Sequence, residues 1–117
     1  MKATAFGKYL RKIRIEQEIL LKDMATALGV SSAYLSSVEL GKKSISDAIV
    51  SKICSSFNLT QKQVNQLEES VVLSQPSVKI DLVGKSNNER EMVMSFARRY
   101  ESLSDSDREQ VMKMLGD

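Results

Sequence analysis

The sequence predicts an all-α domain of five short helices, followed by a short strand and two further helices. Apolar residues recur at helical spacing over most of the chain, and Ser or Thr stands where several of these helices would begin. The single proline, Pro76, lies in the break after the fifth helix. A chain of 117 residues has room for one small domain and an appendage. We therefore divide it into residues 1–74 and residues 75–117.

The first three predicted helices are separated by short turns. Residues 4–17 form an amphipathic helix capped by Thr4, and the second helix is stopped by Gly29, where a left-handed backbone is favourable. Ser31 caps the third helix, which is ended by Gly41. The inward-facing residues of these three helices are Phe6, Leu10, Ile13, Leu21, Met24, Ala25, Leu28, Leu35 and Val38.

Two more helices complete the first domain. Ser46 caps the fourth, and the apolar side of this helix includes Cys54. Thr60 with Gln63 three residues later is the capping-box pattern that begins the fifth. Five helices before the break predict a compact helical domain.

In the segment after Pro76, apolar residues no longer recur at helical spacing. Val78, Ile80 and Leu82 alternate with polar residues, which predicts a half-buried strand. A lone strand leaves its backbone groups unpaired, so we expect this strand to pair with the same strand of a second copy of the chain.

The chain ends in two predicted helices, one over residues 89–102 and one capped by Ser104. We expect Phe96 and Tyr100 of the first to join the strand in a dimer interface. The methionines of both helices fit core or interface packing better than a peptide-binding groove.

The composition excludes several classes of function. The chain has no histidine and one cysteine, Cys54, which excludes zinc sites, His-dependent triads and an internal disulfide. A packed thiol is the expected role of Cys54. No nucleophile, base and oxyanion donor stand together, so we predict no catalytic residue, metal site or cofactor, and no enzyme. No apolar run reaches the ~18 residues of a membrane helix, and no membrane partner is expected.

The charge is unevenly distributed. Residues 1–43 carry eight Lys/Arg and four Asp/Glu, whereas residues 44–117 carry nine and eleven. A positive N-terminal part is what attraction to nucleic-acid phosphates requires. The alternative is a mixed-charge surface with a chance asymmetry, and the net charge of +2 does not decide between the two.

The segment from Met24 to Gly41 has the form of a helix-turn-helix, which places its second helix in the major groove of DNA. Over residues 6–74 the sequence resembles the Cro/C1-type helix-turn-helix family, also called the XRE or lambda-repressor-like domain. The resemblance implies a lambda-repressor-like fold, double-stranded DNA as partner, and a cytoplasmic protein encoded by a bacterium, phage or plasmid. The residues that carry it are Leu10–Arg14, Met24–Ala25, Leu28–Ser31, Leu35–Ser36, Val38–Glu39, Gly41–Lys42 and Phe57–Leu59.

The resemblance implies base contacts for particular residues of the third helix. Ser32, Ala33 and Ser37 match positions that reach base edges. Tyr34 is expected to reach a base or a phosphate, and the alternative is that it packs on the first helix. Serine hydroxyls and an alanine methyl discriminate weakly between bases. Sequence selectivity would therefore depend largely on the shape of the DNA.

The resemblance also implies phosphate contacts. Lys42 and Lys43 lie in the loop that follows the DNA backbone in this family. The capping residue and the phosphate-binding Gln that usually open the second helix are replaced by Leu20 and Leu21. We expect Lys22 to take over the phosphate contact; alternatively, Leu20 marks a contact with another protein.

One ion pair is implied in the same way. Arg14 and Glu39 match a family pair that joins the first helix to the end of the third. A buried pair of this kind fixes geometry more than it adds stability. We expect removal of either residue to loosen the third helix.

The sequence is compatible with two functions. The first is a homodimeric, sequence-specific transcriptional repressor whose operator is an inverted repeat, with the two recognition helices about one DNA turn, ~34 Å, apart. The second is an antitoxin-like protein. Its residues 75–117 would bind a toxin-like partner protein, while the helix-turn-helix would autoregulate the operon.

Overall fold

The computed structural model describes residues 2–116, which form seven α-helices and one turn of 3-10 helix. The 3-10 turn, Tyr100–Ser102, follows the sixth helix directly. The chain divides into two compact units between residues 78 and 79. The prediction of a mostly helical protein is confirmed. The helices are α1 (Ala5–Gln17), α2 (Leu21–Leu28), α3 (Ser32–Glu39), α4 (Asp47–Ser56), α5 (Gln61–Ser74), α6 (Asn87–Arg99) and α7 (Asp105–Leu115).

Six of the seven α-helices within residues 2–116 begin where a capping side chain satisfies one of their first backbone N–H groups. Thr60 and Gln63 form a complete capping box at α5, in which each side chain accepts a hydrogen bond from the backbone of the other, at 3.2 and 2.8 Å. Ser86 caps α6, which begins two residues earlier than predicted. A cap of this kind contributes about 1 kcal/mol to stability. The other predicted caps that accept such a bond are Thr4, Ser31, Ser46 and Ser104.

The N-terminal unit has one hydrophobic core, to which all five of its helices contribute. Helix α1 packs against α3 and α5, and α2 packs against α3 and α4. Each large buried side chain contributes about 1.5–3 kcal/mol of burial free energy. This packing holds α2 and α3, which have eight residues each and would not persist alone. The buried apolar residues are Phe6, Leu10, Ile13, Met24, Ala25, Leu28, Leu35, Val38, Ile45, Ile49, Ile53, Phe57 and Leu67.

The start of α1 lies in contact with the end of α3. Thr4 donates two hydrogen bonds to the carbonyl oxygen of Glu39, one from its backbone N–H and one from its hydroxyl, both 3.0 Å long. Gly7 approaches the same carbonyl group so closely that a Cβ atom would overlap it. Glycine in a helix costs about 1 kcal/mol relative to alanine. At this position it is required, because only glycine lets the two backbones touch.

The end of α5 closes over the start of α1. Ser74 Oγ accepts a hydrogen bond from the N–H of Phe6 at 2.9 Å and donates one to the carbonyl of Ser70 at 2.7 Å. Both serines are buried. The N–H of Phe6 belongs to the first turn of α1 and has no partner within that helix, so α5 supplies the acceptor.

The predicted strand is wrong. None of residues 2–116 is in a β-strand, and Val78, Ile80 and Leu82 lie in an irregular segment between α5 and α6. The alternating run is short and the chain offers no second strand, so a strand here would leave its backbone groups unpaired. The segment turns instead, with the carbonyl of Leu82 accepting from the N–H of Lys85 at 3.1 Å. The strand through which two copies were expected to pair is therefore not seen among the described residues.

The C-terminal unit, which contains α6 and α7, has no buried side chain among residues 79–116. A unit of this size rarely stabilises itself without a disulfide, a metal or a partner. Its half-buried apolar residues are Leu82, Val93, Leu103 and Val111. Its exposed large apolar residues are Ile80, Val83, Met92, Met94, Phe96, Tyr100, Met112, Met114 and Leu115.

No helix within residues 2–116 is both long enough and apolar enough to cross a bilayer.

The substitution Gly7→Ala tests the contact between α1 and α3. On helix propensity alone the change should stabilise α1 by about 1 kcal/mol. We expect instead that the free energy of unfolding falls by about 1–3 kcal/mol, because the added methyl group displaces the Glu39 carbonyl. Urea denaturation measures the difference. Lys8→Ala, an exposed change on the same helix, is the control and should alter stability by less than about 0.5 kcal/mol. A Gly7→Ala variant as stable as the parent protein would contradict the required contact.

Candidate nucleic-acid interface

Helices α2 and α3 meet at a tight turn built on Gly29. Its φ of 71° is left-handed, and its N–H bonds back to carbonyl groups of α2. Two residues later Ser31 caps α3, with its Oγ accepting from the N–H of Tyr34 at 3.0 Å. Leu35 and Val38 are fully buried. Their burial fixes the rotation of α3 about its axis and turns the opposite face of the helix outward.

The outward face of α3 carries the side chains predicted to meet DNA bases. Ser32 and Ala33, in the first turn, are exposed, and Ser37 is half-exposed. The N-terminal residues of a recognition helix are the ones that reach base edges in the major groove. Tyr34 is half-buried and packs against the core in a depression that it shares with Ile49 of α4. Part of its side chain therefore has a packing role, and only the remainder is accessible.

The predicted phosphate-binding lysines lie before and after α3 in the chain. Lys22 is in the first turn of α2, and Lys42 and Lys43 come just after α3; all three are exposed. The N–H of Lys42 donates to the carbonyl of Ser37 at 3.0 Å. The backbone is thus held while the lysine side chains extend into solvent. Long cationic side chains on a fixed backbone suit phosphates, whose contacts add affinity without sequence information.

The start of α2 contains an interaction that was not predicted from the sequence. The Leu20 side chain has no acceptor to cap the helix, and the Asp23 carboxylate accepts the Leu20 N–H at 2.9 Å instead. A carboxylate in the first turn interacts favourably with the helix dipole but repels a phosphate. The phosphate contact expected at this helix start therefore depends on Lys22. Leu20 itself is 62% exposed, so the alternative of a protein contact at this residue stays open.

The structure brings Arg14 and Glu39 together. The Arg14 guanidinium donates two hydrogen bonds to the Glu39 carboxylate, Nη1 to Oε2 at 2.6 Å and Nη2 to Oε1 at 3.0 Å. The Glu39 side chain is 3% exposed and that of Arg14 is 11% exposed. Arg11, whose role was not predicted, places Nε 3.7 Å from Oε1. Because a shielded bidentate pair has one favourable geometry, it fixes the end of α3 against α1.

Gln75 holds the loop between α3 and α4. Its side-chain amide bonds both backbone groups of Ile45: Oε1 accepts from the N–H at 3.0 Å and Nε2 donates to the carbonyl at 2.9 Å. Ile45 is buried and comes two residues after Lys43. The partners are thirty residues apart in the chain, and no local pattern signals the contact. The loop that carries Lys42 and Lys43 is thus anchored to the end of α5.

Burial raises the pKa of two side chains that lie away from α3. The Cys54 thiol is half-buried against the core, and the Glu68 carboxylate raises its pKa further. The reactive thiolate is therefore disfavoured, which supports packing rather than redox chemistry for Cys54. The pKa of Tyr9 is raised by burial and by Glu16, and its hydroxyl donates to the carbonyl of Gln63 at 3.2 Å. Within the described part of the chain, no three His, Cys, Asp or Glu residues cluster as a metal site.

Two short helices joined by a glycine turn, with a small polar face outward and lysines beside it, define a DNA-binding domain. A comparison with known protein families agrees, because the helix-turn-helix family matches residues 10–60. The resemblance to the Cro/C1-type helix-turn-helix (XRE) family is thereby confirmed over these residues, and that family is one of DNA-binding transcription regulators. No significant match was found among curated proteins or among solved structures.

Removal of the Glu39 carboxylate should destabilise the N-terminal unit. Glu39→Ala leaves Arg14 largely shielded from water without its partner, and we expect the free energy of unfolding to fall by about 3 kcal/mol. Replacing both residues, by Arg14→Met with Glu39→Leu, should cost much less because no unpaired charge stays buried. Urea denaturation of these two variants measures this, with the exposed substitution Glu16→Ala as control. Unchanged stability in Glu39→Ala would refute the role of the pair.

Gln75→Ala should free the loop between α3 and α4. The Ile45 N–H loses its acceptor, so its hydrogen exchange should become about tenfold faster, as expected for one hydrogen bond. Gln75→Glu is the matched control, because it keeps an oxygen acceptor for the N–H and should retain most of the protection. An Ile45 amide that exchanges at the parent rate in Gln75→Ala would show that the loop is held by other contacts.

Proposed function

We propose that the protein is a homodimeric transcriptional repressor that binds an inverted-repeat operator, with α3 of each subunit in the major groove. The observation that carries the proposal is the outward face of α3. This face is polar and accessible in its first turn, and burial of Leu35 and Val38 together with the Glu39 ion pair holds the helix rigidly behind it. The match of residues 10–60 to a family of DNA-binding regulators supports the same conclusion.

Ser32, Ala33 and Ser37 would contact the base edges. The accessible part of Tyr34 would add a contact to a base or a phosphate. Hydroxyl groups both donate and accept hydrogen bonds, and an alanine methyl can pack on the methyl of thymine. None of these groups makes the bidentate contact that separates bases strongly. We therefore expect a single wrong base pair in the operator to reduce the binding free energy by about 1 kcal/mol, the low end of the usual range. The shape of the DNA groove would add to selectivity.

The C-terminal unit would mediate dimerisation. Phe96 and Tyr100 lie on its surface with their rings stacked at a centroid distance of 6.2 Å, and each is about half exposed. A second copy would bury this surface and supply the core that residues 79–116 lack. Two copies joined in this way would present two α3 helices to half-sites about one turn, ~34 Å, apart. A dimer bound at a promoter, its own included, would block RNA polymerase in the cytoplasm.

The second candidate is an antitoxin-like regulator. The exposed apolar side chains of α6 and α7 would then bind a toxin-like partner protein, and DNA binding would autoregulate the operon. The absence of any buried side chain in residues 79–116 favours this candidate too, since a partner of either kind would complete the unit. Expression of the chain alone separates the two. A stable dimer with slowly exchanging α6 amides supports the repressor, whereas an unprotected α6 that becomes protected with a co-purified second chain supports the antitoxin.

In vitro selection of bound DNA from a random pool tests the proposal. We expect enrichment of a two-fold symmetric motif with half-site centres about 10 base pairs apart, whose binding weakens as salt is added. The variant Ser32→Glu with Ser37→Glu, which places two carboxylates on the outward face of α3, should enrich nothing. Ser51→Glu, an exposed change on α4, is the control and should select the parent motif. Failure of the parent protein to enrich any motif would overturn the proposal.

Lys42→Ala and Lys43→Ala should weaken binding equally on all sequences. Each removes one phosphate contact per subunit, so each should reduce the slope of log K against log salt concentration by about 1 per subunit. The selected motif should not change, because these contacts carry no base information. Lys62→Ala on α5 removes an equally exposed lysine and should leave the slope unaltered. An unchanged slope in both loop variants would contradict phosphate contacts by Lys42 and Lys43.

A further inference from the structure

We propose that α6 pairs with α6 of a second copy in the antiparallel orientation, with Glu89 of each copy opposite Arg99 of the other. The inference rests on the proposed homodimer and specifies the surface and the register that form it.

An apolar stripe runs along α6. With 3.6 residues per turn, Met92 and Phe96 lie on one side of the helix, and Tyr100 continues the stripe directly after it. These side chains are 66%, 50% and 49% exposed. The neighbouring Val93 is half-buried, so packing within the C-terminal unit uses the flank of the stripe and leaves its centre open. Contiguous exposed apolar side chains of this kind mark an interaction site.

The two ends of this stripe carry opposite charges. Glu89 lies on the stripe in the first turn of α6, and Arg99 lies beside it in the last turn; both are exposed. They are ten residues, or about 15 Å, apart along the helix axis. A parallel pair of α6 helices would place Glu89 against Glu89 and Arg99 against Arg99. An antiparallel pair places each acid against a base, which the charges favour.

The binding partner of this stripe is a second copy of the chain, because the two halves of the stripe are complementary to each other in charge and in apolar side chains. A two-fold axis passing at residue 94 brings Glu89 opposite Arg99 and, at the same time, Met92 opposite Phe96 of the second copy. One register thus satisfies both the charged and the apolar positions, as a symmetric interface requires. Sulfur against an aromatic ring is also a favourable contact. The antiparallel arrangement sets the two helix dipoles in opposition, which adds to the preference.

Charge reversals in the full chain test the pairing, with the dimer dissociation constant measured by sedimentation equilibrium. Glu89→Arg and Arg99→Glu should each weaken the dimer about tenfold, since each turns two exposed ion pairs from attraction into repulsion. The double variant Glu89→Arg with Arg99→Glu should recover most of the parent affinity. The losses should shrink as salt is added.

Glu91 and Arg98 provide matched controls on the opposite side of α6. Glu91→Arg, Arg98→Glu and their combination make the same changes in charge on the same helix, but off the stripe. We expect each to shift the dissociation constant by less than about threefold, the size of one weak surface contact. An equal loss in the stripe and off-stripe variants would overturn the pairing, because it would show an effect on helix stability alone.

The outcomes also separate this inference from the proposed function. A parent dimer that selects an inverted repeat but ignores the reversals at Glu89 and Arg99 overturns only the antiparallel register. Single reversals that weaken the dimer without recovery in the double variant overturn it as well. A monomeric parent chain overturns both the register and the proposed homodimer. A dimer that responds as expected but selects no DNA supports the register and refutes the repressor.

Discussion

Glu39 is the residue on which the position of α3 depends. Its carboxylate is held by Arg14 and approached by Arg11, and its carbonyl oxygen accepts two hydrogen bonds from Thr4. A helix of eight residues has too few internal hydrogen bonds to persist alone. Burial of two apolar side chains fixes the rotation of α3 about its axis, and the contacts of Glu39 fix its end against α1. The outward face is therefore presented in one orientation.

The rigid position of α3 fixes the orientation of its outward face, but it does not by itself discriminate between bases. The accessible side chains of α3 are small and would make weakly discriminating contacts with bases, so the placement of two such helices by a dimer would carry much of the specificity. The lysines that would bind phosphates lie in a loop anchored by Gln75, the residue at which the chain leaves α5. The affinity and the orientation of the domain on DNA would thus depend on contacts made behind the proposed DNA-binding surface, by residues that would not themselves touch DNA.

Much of the N-terminal unit could be predicted because its signals are local. Thr4, Ser46 and Thr60 bond to N–H groups within a few residues, and the apolar spacing of each helix is visible in its own segment. The roles of Gly7, Gln75 and Arg11 could not be predicted, because their partners lie about thirty residues away in the chain. The Arg14–Glu39 contact was implied by the family resemblance rather than by the residues alone.

The wrong strand prediction has a different cause. Alternation at Val78, Ile80 and Leu82 describes how a strand would look, but a strand also needs a neighbour, and periodicity carries no information on that. The same limit applies to α6 and α7, whose apolar spacing predicted helices correctly but could not say which face would stay uncovered.

The central claim is that α3 is the surface that meets DNA. Titration of the isotope-labelled chain with the selected duplex, followed by the amide chemical shifts, tests it most directly. We predict the largest shifts in residues 31–43, from the cap of α3 through the lysine loop, with small shifts in α6 and α7. Large shifts confined to residues 79–116, with α3 unaffected, would contradict the claim.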